Sequence, residues 1–173
     1  KGNYINNKRN GKWLQVNEDG KTLKISHFVN DTENGEWKTY NSDGILLYKY
    51  NYKLGLQVDD FFSYYDNANL KVHGLYLDGV KNGTWLTYYK SGKLLERCTW
   101  KNGKLFGEFL SYHDNCQLWE SCYFIDDKLE GETLKYRENG QLLRRQHYKN
   151  GKLDGNWFVY LDNGNLLQKR IYK

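Results

Sequence analysis

The chain has 173 residues, a formal charge of +5, 17% aromatic residues, 17 glycines and no proline. No run of about 18 apolar residues occurs, which excludes a membrane-spanning helix. Its mean hydropathy is clearly negative, and that polarity beside so many aromatics suits a thin sheet better than a globule with a thick core.

One frame recurs along the chain at a fixed period of 24 residues. A glycine opens each copy, at Gly11, Gly35, Gly83, Gly107, Gly131 and Gly155, with Asp59 in the one remaining place. Seven repeats therefore start near residues 11, 35, 59, 83, 107, 131 and 155, after a partial repeat that holds Tyr4 in the slot of Phe28. A fixed period in this range marks a repeat architecture. Residues 1–173 read as one continuous repeat domain, because in such a body each unit touches only its neighbours. The chain lacks methionine and begins inside a repeat, so further sequence is expected before residue 1.

Each repeat opens with a tight loop and a short strand. Trp157 and Val159 point to one face of that strand, Phe158 and Tyr160 to the other, because side chains alternate. The second column recurs as Leu14/Val16, Phe62/Tyr64, Leu86/Tyr88, Leu110/Tyr112 and Leu134/Tyr136. The first is an aromatic followed by a small or polar residue, as in Trp37/Thr39, Phe61/Ser63 and Trp85/Thr87. A turn follows at Asp19-Gly20, Asp43-Gly44, Ser91-Gly92, Asn139-Gly140 and Asn163-Gly164, since glycine accepts the positive φ that hairpin turns need. Ala68 and Cys116 take the glycine slot in the other two copies.

The returning strand carries a leucine near its start (Leu46, Leu70, Leu94, Leu118, Leu142, Leu166) and an aromatic six residues on (Tyr52, Tyr76, Trp100, Phe124, Tyr148, Tyr172). Strict alternation puts both slots on one face. No window has the i, i+3, i+4, i+7 pattern of an amphipathic helix. The fold predicted is all-β: a single-layer antiparallel meander of tandem 24-residue β-hairpins, about 14 strands at roughly 4.8 Å each, forming an elongated ribbon of about 65 Å. Aromatic ladders take the place of a core.

The motif aromatic-x-x-Gly-Lys-x-x-Gly-x-aromatic-x-x-Tyr-x-x-x-Gly-x-Leu is best seen from Trp100 to Tyr112 and from Tyr148 to Tyr160. It resembles the MORN repeat in its bacterial-type variant, many relatives of which carry the label of YwqK-type antitoxins. The resemblance covers essentially the whole chain. It implies a non-enzymatic β-hairpin scaffold that engages a protein partner, and as one specific role an immunity or antitoxin protein bound to a toxin.

Little in the residues favours catalysis or a cofactor. His27, His73, His113 and His147 fall in different slots, without metal-ligand spacing to the cysteines. The acidic pairs Asp59-Asp60 and Asp126-Asp127 read as solvated loop charge. No nucleophile elbow, phosphate-binding glycine loop or HExxH motif is present. Cys98 and Cys122 share one slot of successive repeats, two strand spacings or roughly 9 to 10 Å apart. A disulfide needs Cα atoms within about 7 Å, so reduced thiols and a cytoplasmic, reducing compartment are expected. No enzyme, metal or cofactor is predicted.

Two sets of residues are candidates for binding. Lys49, Arg97, Arg145 and Lys169, with His73, share one slot of the returning strand, and Lys53, Lys101 and Lys149 share a slot four residues later on the same face. Stacked repeats would align them into two basic columns able to follow a nucleic-acid backbone or an anionic lipid surface. Trp119 and Tyr123 depart from the pattern of the fifth repeat and read as sharing one face, where they are candidates for contact with a partner. Tyr, Trp and Arg dominate protein-binding hot spots, which favours protein recognition. A structural scaffold in a larger particle or membrane-associated assembly, and nucleic-acid or lipid binding, are the alternatives.

Overall fold

The computed structural model describes residues 1 to 173. It contains seventeen strands and no helix, so no helix is long and apolar enough to cross a membrane. The chain divides into two compact units, residues 1–82 with 90–92, and residues 83–89 with 93–173.

The first unit comprises β1 (Asn3–Ile5), β2 (Lys8–Val16), β3 (Thr22–Val29), β4 (Thr32–Glu33), β5 (Gly35–Tyr40), β6 (Leu46–Lys53), β7 (Leu56–Tyr64), β8 (Leu70–Leu77) and the start of β9 (Val80–Tyr88). The second comprises the rest of β9, then β10 (Leu94–Lys101), β11 (Lys104–Tyr112), β12 (Leu118–Ile125), β13 (Lys128–Leu129), β14 (Gly131–Tyr136), β15 (Leu142–Lys149), β16 (Lys152–Tyr160) and β17 (Leu166–Tyr172). Within each unit the pairing is antiparallel between neighbours in sequence, the meander that the repeat predicts. There are more strands than the expected 14 or so, because β1 belongs to the partial repeat and β4 and β13 are pieces of strands interrupted at Asn34 and Glu130.

Two kinds of turn alternate. Within a repeat, the turn closes with a hydrogen bond such as Gly164 N to Leu161 O, 2.9 Å, and of its Asx-Gly pair only the glycine has positive φ (Gly164, +81°). Ala68 and Cys116 keep this backbone, at φ +65° and +67°. Between repeats the connection is tighter than the loop expected. Two residues, both with positive φ, join the strands directly, as in Asn150 (+51°) and Gly151 (+79°). That is the type I′ hairpin turn, whose twist matches that of the flanking strands. The second residue of the turn ties it to the repeat before, as in Gly151 N to Leu129 O, 2.9 Å, and Gly55 N to Glu33 O, 2.9 Å.

The glycine opening each repeat therefore lies inside a strand, not before it. Gly155 sits within β16 at φ +86°, where the register with β15 shifts between Gln146 and Tyr148. Asp59 occupies the equivalent place in β7 at φ +62°. The reading of Asp59-Asp60 as loop charge is corrected accordingly, since the pair belongs to a strand, whereas Asp126-Asp127 lies between repeats as expected, in a two-residue turn (φ +48° and +67°).

A second register shift follows the other turn. In β5 and β6, Thr39 pairs with Tyr48 but Tyr40 pairs with Leu46, leaving Leu47 as an extra residue. Residues directly opposite share a face, so Leu46 lies with Tyr40 on one side and Tyr52, opposite Gly35, on the other. The leucine and aromatic slots of the returning strand therefore do not share a face. A one-residue bulge reverses alternation beyond it.

Burial is one-sided. Ser26, Phe28, Trp37 and Ser63 in the first unit, and Trp85, Cys98, Ser111, Cys122, Thr133 and Gln146 in the second, are buried. Within each unit the register puts these residues on one face, here called its inner face. In the first unit this face is an aromatic ladder. Ring centroids lie 6.4 Å apart for Trp13–Phe28, 5.4 Å for Phe28–Trp37, 5.0 Å for Trp37–Tyr52 and 5.9 Å for Phe61–Tyr76. Most meet edge to face, an arrangement worth about 0.5–1.5 kcal/mol per pair beyond burial. In the second unit Phe109–Phe124 continues the pattern at 6.0 Å.

The turns within repeats are also stitched together. Tyr89 Oη donates to Tyr112 O (2.7 Å), His113 Nε2 to Tyr136 O (3.1 Å) and Arg137 Nη2 to Tyr160 O (2.9 Å). Three unlike side chains in one slot thus serve one purpose, satisfying a strand-end carbonyl of the next repeat.

Candidate functional site

The outer face of the second unit carries a row that the register fixes residue by residue: Leu86, Arg97, Leu110, Ser121, Leu134, Arg145, Phe158, Lys169. Arg97, Arg145 and Lys169 thus fall in one row, but Leu110, Ser121 and Leu134 stand between the first two and Phe158 between the last two. One slot recurs on every second strand, so successive copies are spaced by about 9–10 Å, and Arg97 and Arg145, two copies apart, by about 19 Å. In the first unit Lys49 and His73 flank Phe62 in the same way.

Much of this charge is countered locally. Arg145 Nε is 2.6 Å from Glu132 Oε1, and its Nη2 engages the same oxygen. Glu36 bonds Lys38 at 2.5 Å and Lys49 at 3.4 Å, and the hydrogen bond from Lys38 holds the Glu36 carboxyl below its usual range. His73 bonds Asp60 (2.8 Å) and stacks on Phe62 at 4.6 Å. Lys169 Nζ lies 5.7 Å from the Phe158 ring centroid. The second basic column stands beside the two-residue turns, where Lys53 pairs with Leu56, Lys101 with Lys104 and Lys149 with Lys152. A hollow of about 410 Å³ opens on this face among Glu132, Arg145, His147, Asn156 and Phe158.

Trp119 and Tyr123 do not share a face. The register between β11 and β12 shifts so that Trp119 is the extra residue between Leu118, opposite Tyr112, and Glu120, opposite Ser111. Its ring lies 6.3 Å from His113 and 5.2 Å from Lys135 Nζ; Lys135 pairs with Glu120 on the inner side. Tyr123 pairs with Glu108 on the outer side, its ring 6.5 Å from Phe106. Both remain well exposed, at 40% and 43%.

The inner face places polar groups among the buried ones. Glu96, Ser111, Glu120, Lys135 and Arg144 form one row, with Glu120 held at 3.1 Å by Lys135. Burial, then repulsion from Glu120, raises the Glu96 carboxyl above its usual range. Cys98 and Cys122 both pair with Phe109, which stands between them, and no disulfide is formed. Burial, then Glu120, pushes the Cys122 thiol up to about 12. The remaining histidines serve the backbone, His27 Nδ1 donating to Glu36 O (2.5 Å) and His147 Nδ1 to Asp154 O (2.9 Å). No three His, Cys, Asp or Glu side chains are grouped to hold a metal.

One feature had not been singled out from the sequence. At the two-residue turns of the first unit, Leu54, Leu56, Leu75, Leu77 and Val80 are exposed. The signal was available, because lysine occupies the slots of Leu56, Leu77 and Val80 in most other repeats.

A family model described as MORN repeat variant matches residues 33–54, 81–102, 129–150 and 153–173. Each matched segment follows a two-residue turn and takes in an outgoing strand, the turn within the repeat and most or all of the returning strand. No curated protein matches the chain.

Proposed function

Because the chain belongs to the MORN repeat variant family, whose repeats are non-enzymatic scaffolds associated with protein and membrane interaction, we propose that it binds a partner protein and performs no catalysis itself. The observation that carries this reading is the pair of large aromatics in the fifth repeat. Trp119 and Tyr123 stand 40% and 43% exposed, one on each side of the strand, where the neighbouring copies have Leu95 and Leu143, and Thr99 and His147. Exposed Trp and Tyr beside a rim of charge match the composition of hot spots. The two rings offer different partners or different parts of one partner, since they face opposite ways.

The specific role proposed is that of an immunity or antitoxin protein in a reducing, cytoplasmic compartment. The test is a pull-down from native extract with the wild-type protein, Trp119→Ala and Tyr123→Ala, followed by reconstitution with the purified partner. Loss of that partner at an unchanged melting temperature supports recognition, and co-expression then shows whether the partner is toxic without this chain. Retention by both variants would move the binding surface elsewhere. A second reading, nucleic-acid or anionic-lipid binding, draws support from the row containing Arg97, Arg145 and Lys169, although Glu132 offsets Arg145.

A further inference from the structure

The turn between β6 and β7 departs from the other six. Their first residue is Asn or Asp (Asn6, Asn30, Asp78, Asn102, Asp126 and Asn150), all at positive φ, whereas this one has Leu54 at φ +50°. Asn and Asp visit that region with a local hydrogen bond in return, and a leucine has none to offer. The Leu54 side chain is nevertheless 76% exposed. It therefore bears backbone strain and contributes little burial. Strain kept without a packing return points toward function.

Leu54 does not stand alone. Leu56 and Leu75 lie on the outer face, opposite Lys53 and Asp60, and Leu77 and Val80 flank the next turn, Asp78-Gly79. Leu56 reaches over that turn, for a Cβ on Gly79 would meet its Cδ2 at 3.3 Å. The four are 38% to 51% exposed. Lysine holds the slot of Leu77 at positions 53, 101, 149 and 173, and that of Leu56 and Val80 at 8, 104, 128 and 152. Ile5, Val29 and Ile125 also hold the slot of Leu77, but only here is the slot of Leu56 and Val80 aliphatic as well, so the charged rim gives way at this point to a cluster of branched aliphatics.

We infer that this patch docks a short segment of a partner protein, presenting two or three aliphatic or aromatic side chains flanked by lysine or arginine. The inference rests on the protein-binding reading above and gives it a location and a partner chemistry. Two observations choose the occupant. Five partly exposed aliphatic side chains make a patch on the order of a few hundred Å², the size of functional patches on monomers. That falls short of the roughly 800 Å² a side found in stable interfaces, so a segment fits better than a second copy of this chain. Asp78, between Leu77 and Val80, and Asp60, opposite Leu75 and bonded to His73, stand beside the patch and favour basic flanks over acidic ones, against the single Lys53 opposite Leu56.

The probe is a phage-displayed library of random twelve-residue peptides panned against the whole chain. The double variant Leu56→Lys/Leu77→Lys carries what other repeats carry in those slots, so its fold is kept. The enriched peptides should combine apolar and basic residues. They should bind the double variant at least tenfold more weakly, bind Leu54→Asn more weakly than wild type, and bind Leu161→Ala, which changes an exposed leucine of the second unit, as tightly as wild type. Peptides that bind the double variant as well as wild type would overturn the patch while leaving protein recognition standing. Enrichment of acidic peptides, or of none, would overturn the proposed partner chemistry. Protein recognition would then still be judged by the native-extract pull-down with Trp119→Ala. A concentration-dependent dimer in sedimentation velocity, lost in the double variant, would make the occupant a second copy and overturn the inference.

Discussion

Cys116 holds φ +67° in a slot where five of seven copies have glycine. Cys116→Gly should therefore stabilise the protein by up to about 1 kcal/mol, read as a rise in melting temperature; a fall would mean that the thiol packs against its surroundings. Leu54→Asn should gain about 1 kcal/mol for a related reason, since Asn tolerates the left-handed region. The thiols should also differ in reactivity, because alkylation needs a thiolate. Cys122 is buried with its pKa pushed up to about 12, whereas Cys116 is exposed. Iodoacetamide at pH 8 should label Cys116 first and leave Cys122 unmodified until the protein unfolds, as peptide mass mapping would show. At this scale the sequence was a good guide: a missing glycine in a strict repeat identifies a strained residue before any coordinates are seen.

Strands obey rules that single residues do not reveal. The 24-residue period and the Asx-Gly pairs made the hairpins and their turns legible in advance. The bulges were not, because an extra residue shows itself only in the hydrogen bonds of the facing strand. That one blind spot accounts for two misplacements, the leucine slot set beside the aromatic slot and Trp119 set beside Tyr123. The alignment of Lys49 with Lys53 escaped it, since the register shift between Lys49 and Asn51 puts its extra residues in β7 and leaves β6 alternating. The one-sided burial can be tested directly: Trp85→Ala on the inner face should cost about 3–5 kcal/mol, and Leu86→Ala, one residue away on the outer face, clearly less. The inner row also predicts a pH dependence. The Glu96 carboxyl is raised in the folded state, so the folded chain holds that proton more tightly than the unfolded chain. Its favourable contribution is complete below the unfolded value near 4.5 and is lost as pH rises through the raised folded value. Glu96→Gln should therefore raise the melting temperature at pH 7, with the gain shrinking as pH falls toward 4.5.

For the molecule as a whole, the net charge of +5 conceals a face on which bases alternate with leucine and phenylalanine. If counterion release drove binding, replacing Arg97, Arg145 and Lys169 by glutamine would abolish a steep salt dependence toward DNA, RNA or anionic vesicles. The protein-recognition reading expects those changes to leave partner binding nearly intact. The function was the least legible part of the sequence, because a repeat specifies its scaffold in every copy and its partner only in the copies that deviate. The local pairing has a further consequence, for the way the chain is made. Even widely separated strand partners, such as Gly155 and Tyr172, belong to a single hairpin. Such short closures carry a small entropic cost, and low contact order goes with fast folding. Each hairpin can therefore form soon after it leaves the ribosome and dock on the one before it, so the protein should fold during synthesis faster than sandwich or barrel proteins of its length.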